Sequence, residues 1–200
     1  MAMKTKPVQE DVRLGTRERV VRVTSRLMQR HGYEGTTLKQ ISQEADATLG
    51  SVYHFFPGGK LELAVEAVRH GDREFAEFLT EKLAEHDDPA EAIAACAADL
   101  ADGLRASDWI DGCPVTAAAL GTAVHAPGIQ VVAAEAFARW REIVCDSLRR
   151  SGIAETDARE LAHTVINTLE GAEMAAQVSK SPEPLQVAGR HLARLIDTYR

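Results

Sequence analysis

Two hundred residues and 21.7 kDa, with 45% hydrophobic and 26% charged side chains, suit an ordinary globular chain that buries a core without disulfide help, and they exclude disorder. No apolar run approaches the roughly 18 residues of a membrane-spanning helix, so no membrane partner is expected. The opening Met1-Ala-Met-Lys-Thr-Lys-Pro has no apolar stretch behind its positive charges, which predicts no secretory leader and a cytoplasmic protein. Cys96, Cys113 and Cys145 are odd in number and widely spaced, and predict small packed side chains rather than a disulfide framework or a zinc site. The net charge of -7 is unevenly spread: residues 1–60 hold 10 Lys/Arg against 6 Asp/Glu, a net +4, and residues 61–200 hold 13 against 24, a net -11. A basic head therefore sits on an acidic body, and local clustering of cations matters more for nucleic acid than the total.

Thirty-two alanines and recurrent spacings of three and four predict an all-α chain. Thr16 is the expected cap of a first helix bearing Val20, Val23, Leu27 and Met28, stopped at Gly32. Thr37 with Gln40 three residues on forms a capping-box pattern for a short second helix through Ile41 to Ala45. Thr48 is expected to cap a third over Leu49 to Phe56, and Pro57-Gly58-Gly59 breaks the backbone before a long fourth helix from Lys60 to about Glu85. Asp88-Pro89 opens a fifth, and Gly112-Cys113-Pro114 interrupts the segment that follows. Pro127 opens a helix closed by Ser151-Gly152. Asp157 with Glu160 is the expected cap of the next, to about Ser179. The Ser181-Pro182-Glu183-Pro184 break then precedes a last helix from Leu185 to Tyr199. The layout is nine helices: a tail over residues 1–14, a head over 15–60 and a body over 61–200 that shares the fourth helix.

Residues 37 to 60 carry the chemistry. Two short helices with Ile41, Ala45, Val52 and Phe56 spaced to pack inward have the proportions of a helix-turn-helix. Such a unit presents Leu49, Gly50, Ser51, Tyr53 and His54, small or hydrogen-bonding groups suited to a major groove about 12 Å wide. Lys39 and Lys60 flank them, where cations can meet phosphates.

The stretch from Arg30 to Ala45 (Arg-His-Gly-Tyr-Glu-Gly-Thr-Thr-Leu-Lys-Gln-Ile-Ser-Gln-Glu-Ala), with Leu49-Gly-Ser-Val-Tyr-His-Phe-Phe and Lys60-Leu-Glu-Leu, resembles the TetR family of one-component transcriptional repressors over about residues 14–70. By motif position the resemblance puts Thr37 and Lys39 at phosphate and base edges, and Leu49, Gly50 and Tyr53 where the recognition helix meets bases and backbone. It also implies phosphate or groove contacts for Ser51 and His54, with Thr48 capping that helix among them, and a phosphate-binding role for Lys60. One position more than the commoner family pattern separates Phe56 from Lys60. That Phe-Pro-Gly-Gly-Lys run and Gly112-Cys-Pro-Val-Thr-Ala-Ala-Ala-Leu-Gly look like the branch containing lincomycin- and flavonoid-responsive repressors.

The resemblance implies a homodimer on palindromic double-stranded operator DNA, paired through the last two helices, and release by a small-molecule inducer of apolar or aromatic character. Periodicity alone leaves open whether those helices pair with a second copy or pack only within one. Phe75, Phe78, Trp109, Phe137 and Trp140 are the aromatic candidates for lining an inducer site, Thr116, Asn167, Glu170 and Glu173 the polar ones, and Cys113 sits at its expected rim. Gly71 in the fourth helix either eases a bend or marks close packing.

No cofactor, metal or catalytic residue is expected. Glu160-Leu-Ala-His163 is a single Glu-x-x-His where a di-iron bundle needs two, and no phosphate loop or Gly-x-Ser-x-Gly is present. The alternative from a different class is a helical ligand-carrier or protein-interaction module without sequence-specific DNA binding.

Overall fold

The computed structural model describes residues 14–122 and 125–200, which leaves the expected tail outside the described residues apart from Leu14. Among the described residues the chain forms nine helices and no strand. They are α1 (Thr16–Gly35), α2 (Leu38–Glu44), α3 (Leu49–Phe55), α4 (Gly59–Glu85), α5 (Pro89–Ala106), α6 (Pro114–Leu120), α7 (Pro127–Arg150), α8 (Glu155–Ser179) and α9 (Glu183–Asp197). None is long and apolar enough to cross a membrane.

Local chemistry explains the boundaries. Thr37 and Thr48 cap α2 and α3, each hydroxyl accepting from the backbone N–H three residues on. Asp88 caps α5, and Pro89 and Pro114 occupy first helical positions, where no N–H is needed. Gly32, at φ 66 and ψ 179, takes a conformation open almost only to glycine, yet one more turn follows before α1 ends at Gly35.

Three expectations change. Thr16 is the first residue of α1 and Gly15 its cap. Asp157 does not cap α8: Gly152, at φ 98, ends α7 early enough for α8 to start at Glu155, and Asp157 becomes a first-turn acid favoured by the helix dipole. Pro182 and Pro184 do not hold α9 back to Leu185, because a proline in the first turn displaces no hydrogen bond.

Two compact units result. Among the described residues, one takes 14–73 with Cys113–Ala136, and the other takes Glu74–Gly112 with Phe137–Arg200, so α4 and α7 each contribute to both. In the first, the head core is Val20, Val21, Val23, Leu27, Ile41, Ala45, Val52, Phe56 and Leu63, with α6 packed on α1. A Cβ at Gly71 would come 2.7 Å from Cγ of Pro114, so Gly71 is a close-packing site for α6. In the second unit α5, α8 and α9 pack together, closely enough that a Cβ at Gly189 would meet Ala97 at 2.9 Å.

Candidate nucleic-acid interface

The turn between α2 and α3 is braced from outside. Asp46 turns the chain at φ 45, a left-handed conformation that aspartate tolerates better than most residues. Arg19 of α1 donates through Nε to the carbonyl of Ala45 at 2.6 Å and through Nη2 to that of Asp46 at 3.1 Å. Arg17 is likewise engaged, paired with Glu66 at 3.0 Å and lying 5.3 Å from the centre of the Phe56 ring. Its hydrogen bond, after that of Arg69, holds the Glu66 carboxyl below the usual range. Arg19 thus braces the turn between the short helices, and Arg17 ties α1 to α4 and to the end of α3, roles with no local signature in the sequence.

With Val52 and Phe56 fully buried, the other face of α3 is turned out. Leu49 is 43% and Tyr53 52% exposed, and Gly50 and His54 are exposed as well. His54 sets its ring edge-on to Phe55 with centroids 5.2 Å apart. Ser51 is half-buried, its hydroxyl 3.0 Å from that of Thr48, so both hydroxyls serve the cap. Thr37 is exposed but committed to capping α2 through the N–H of Gln40 at 3.2 Å. Lys39 stands exposed on α2.

Lys60, second residue of α4, is half-buried and sets its ammonium 4.2 Å from the centre of the Tyr33 ring. Burial lowers its pKa against the opposing pull of Glu34, and burial raises that of Tyr33. The extra residue before Lys60 is absorbed in the turn: Gly59 adopts φ 69, and the N–H of Gly58 donates to a Glu62 carboxylate oxygen at 2.7 Å. Sequence reasoning passed over Tyr33; a ring 27 positions from its cation leaves no spacing to detect.

The inducer-site candidates divide. In the second unit Phe75, Phe78, Phe137 and Trp140 form one aromatic cluster, with Phe75 against Trp140 at 4.6 Å and Phe137 against Trp140 at 4.9 Å. Glu170 and Glu173 are both buried a turn apart on α8. Burial, then the repulsion of Glu170, pushes the Glu173 carboxyl up to about 8. Trp109, half-buried, follows Asp108 into left-handed backbone at φ 65, and Gln177 holds that connection by donating to the Ile110 carbonyl at 2.6 Å. Asn167, one turn before Glu170 on α8, is exposed. Cys113 and Thr116 fall in the head unit, where the Cys113 sulfur accepts the Thr116 N–H at 3.5 Å and caps α6. Cys96, fully buried, has its thiol pushed up to about 12 by burial.

Comparison with known proteins agrees with this geometry. Residues 20–67 match the family described as bacterial regulatory proteins, tetR family, and residues 89–191 match the transcriptional regulator LmrA/YxaF-like C-terminal domain. The chain is 35% identical over 175 residues to the HTH-type transcriptional regulator LmrA of Bacillus subtilis, covering 85% of this chain and 90% of that one. It is 33% identical over 181 residues to the regulator YxaF of the same organism, covering 90% and 95%. A TetR transcriptional regulator from Chloroflexus aurantiacus superposes with a TM-score of 0.76 at 28% identity, covering 95% of this chain and 96% of that one.

Proposed function

The chain belongs to the TetR family of transcriptional regulators and carries its DNA-binding helix-turn-helix, and on that premise we propose that it is a cytoplasmic repressor that grips a palindromic operator as a homodimer and is released by a small-molecule inducer. Its relatives regulate transcription and are not enzymes. The observation that carries the reading is the outward face of α3, where Leu49, Tyr53 and His54 are exposed above a core that holds Val52 and Phe56 completely. Tyr53 and Leu49 meet bases, Gly50 lets the backbone approach, Ser51 and His54 touch groove or phosphate, and Thr37, Lys39, Thr48 and Lys60 anchor the flanks.

One short helix reads too few base pairs for useful discrimination, and a twofold pair of heads about 34–36 Å apart supplies the rest. The pairing surface we assign is the outward face of α8 and α9. It carries Gly171, Met174, Ala175 and Val178, with Val178 88% exposed, and Val187 on α9. The inducer, of apolar or aromatic character, takes the aromatic cluster with Glu170 and Glu173 as its polar complement. Trp109, Cys113, Thr116 and Asn167 remain secondary candidates. Ligand and DNA then oppose each other by a coupling of about 1–3 kcal/mol, carried by α4, the helix that enters both units.

Retention of sheared genomic fragments across a salt series, with sedimentation of the free and bound protein, tests this. Selective, salt-sensitive retention by a species of two chains is expected. Sedimentation as a single chain on DNA would overturn the homodimer, and no selective retention would overturn the regulator.

A further inference from the structure

In the major groove arginine or lysine marks guanine, asparagine or glutamine marks adenine, and aspartate or glutamate marks cytosine, each through hydrogen bonds to the base edge; thymine is marked also by a methyl group, which apolar side chains contact. α3 runs Leu49-Gly50-Ser51-Val52-Tyr53-His54-Phe55 and carries none of those six hydrogen-bonding residue types. Several of its positions are already committed. Val52 is fully buried, Phe55 packs on the head core, and Ser51 shares its hydroxyl with the Thr48 cap. Gly50 has no side chain, and a Cβ there would meet nothing nearer than Thr48 Oγ1 at 3.6 Å, so nothing inside the head crowds that position.

Leu49, Tyr53 and His54 remain. Leu49 is the first residue of the helix and is 43% exposed, a branched apolar side chain held in water. That leaves nearly half of the side chain in water in the free protein, apolar surface that a methyl group can cover on binding. We propose that α3 reads its half-site through thymine methyl groups, with Leu49 the specificity-determining contact and Tyr53 packing beside it. This rests on the regulator reading above and deepens it: each half-site carries a thymine whose methyl group is covered by Leu49, at a position with no hydrogen-bonding partner from α3.

The test replaces each thymine of a genomically selected site, in turn, with deoxyuridine, which keeps base pairing and removes only the methyl group. At a symmetric pair of positions the affinity is expected to fall about fourfold for each half-site, the worth of one buried methyl-sized group. Leu49→Ala, whose helicity is checked by circular dichroism, is expected to bind thymine and uracil duplexes alike at those positions. Selective binding with every uracil duplex within about twofold of the parent would overturn this inference and leave the regulator standing. Discrimination that survives in Leu49→Ala would overturn the assignment to Leu49. Absence of any selectively bound fragment would instead overturn the regulator reading itself.

Discussion

Two helices invert the ordinary rule of burial in opposite senses. α3 leaves Leu49 and Tyr53 in water, whereas α8 takes Glu170 and Glu173 inside, each with 8% exposure. The costs differ in kind. Leu49, 43% exposed, forgoes less than half of the roughly 1.5–3 kcal/mol that full burial of a leucine is worth, and leaves its neighbours undisturbed, since Val52, Ile41 and Phe56 still close the head core without it. A buried pair of carboxyls suffers desolvation and mutual repulsion, and the consequence is visible in Glu173, which stays protonated far above the usual carboxylate range. The outward face of α3 can therefore be altered for function with little effect on folding. Any change to the inward face of α8 registers in stability first.

The largest expected effect lies on α3. Tyr53→Ala removes an aromatic from the middle of the outward face of α3, the face proposed to read DNA, and interface residues of this kind are worth about 2–4 kcal/mol, which predicts a loss of roughly 30-fold to 1,000-fold in operator affinity. Because Tyr53 is 52% exposed and outside the head core, melting should move by no more than about 0.5 kcal/mol. Titration of the selected fragment alongside thermal denaturation separates the two. Affinity preserved in the variant would show that the outward face of α3 is not the reading face, and the contrast with α8 would lose its functional half.

On α8 the expected effect is on stability and has a definite sign. The Glu173 pKa in the folded chain, about 8, stands above its ordinary value of 4.5. The fold therefore favours the protonated form, and this contribution is complete below about pH 4.5 and lost as pH rises toward 8. Glu173→Gln keeps the shape, removes the titration of Glu173 and relieves its repulsion with Glu170. Over that window the parent is expected to lose stability relative to Glu173→Gln by an amount on the order of a few kcal/mol. Carboxyls held below their usual range, such as Glu66 and Asp88, act in the opposite direction as pH falls, but they are common to both proteins and cancel in the difference. Parallel melting curves from pH 5 to 8 would mean that the carboxyl pair is compensated and that α8 does not invert the rule at all.

Much of the head was legible because its signals are local. Thr37 and Thr48 are hydroxyls one residue before a helix, Pro57-Gly58-Gly59 is a break, and the spacing of Ile41, Ala45, Val52 and Phe56 alone turns them inward. What escaped was contact at a distance. Arg19 reaches carbonyls 26 and 27 residues away, and Lys60 finds a ring on another helix. In the body, spacing placed the apolar stripe of α8 but not the start of the helix, since Asp157 satisfies a cap pattern that the geometry after Gly152 pre-empts. Nor does composition distinguish Asn167, exposed, from Glu170 and Glu173, buried: all three are polar residues on one helix, and only tertiary packing decides which are covered.

The smallest expected effect concerns how the head holds a cation for DNA. A phosphate contact carries no base information, so Lys60→Ala should weaken all duplexes alike and reduce the salt slope by about 0.9 for each phosphate the lysine neutralises. Tyr33 acts on the same ammonium from 4.2 Å and has no phosphate assigned to it, which makes it a positioning residue. Cation–π attraction at a partly exposed site is worth about 0.5–1 kcal/mol, so Tyr33→Leu should cost about twofold to fivefold in affinity while the salt slope stays near that of the parent, because the charge remains. Tyr33→Phe keeps the ring and should bind as the parent does. In the Lys60→Ala background Tyr33→Leu should have no further effect, since the group it positions is gone. A Tyr33→Leu effect that persists without Lys60 would trace instead to the packing of α1, and the lysine would have to find the phosphate unaided.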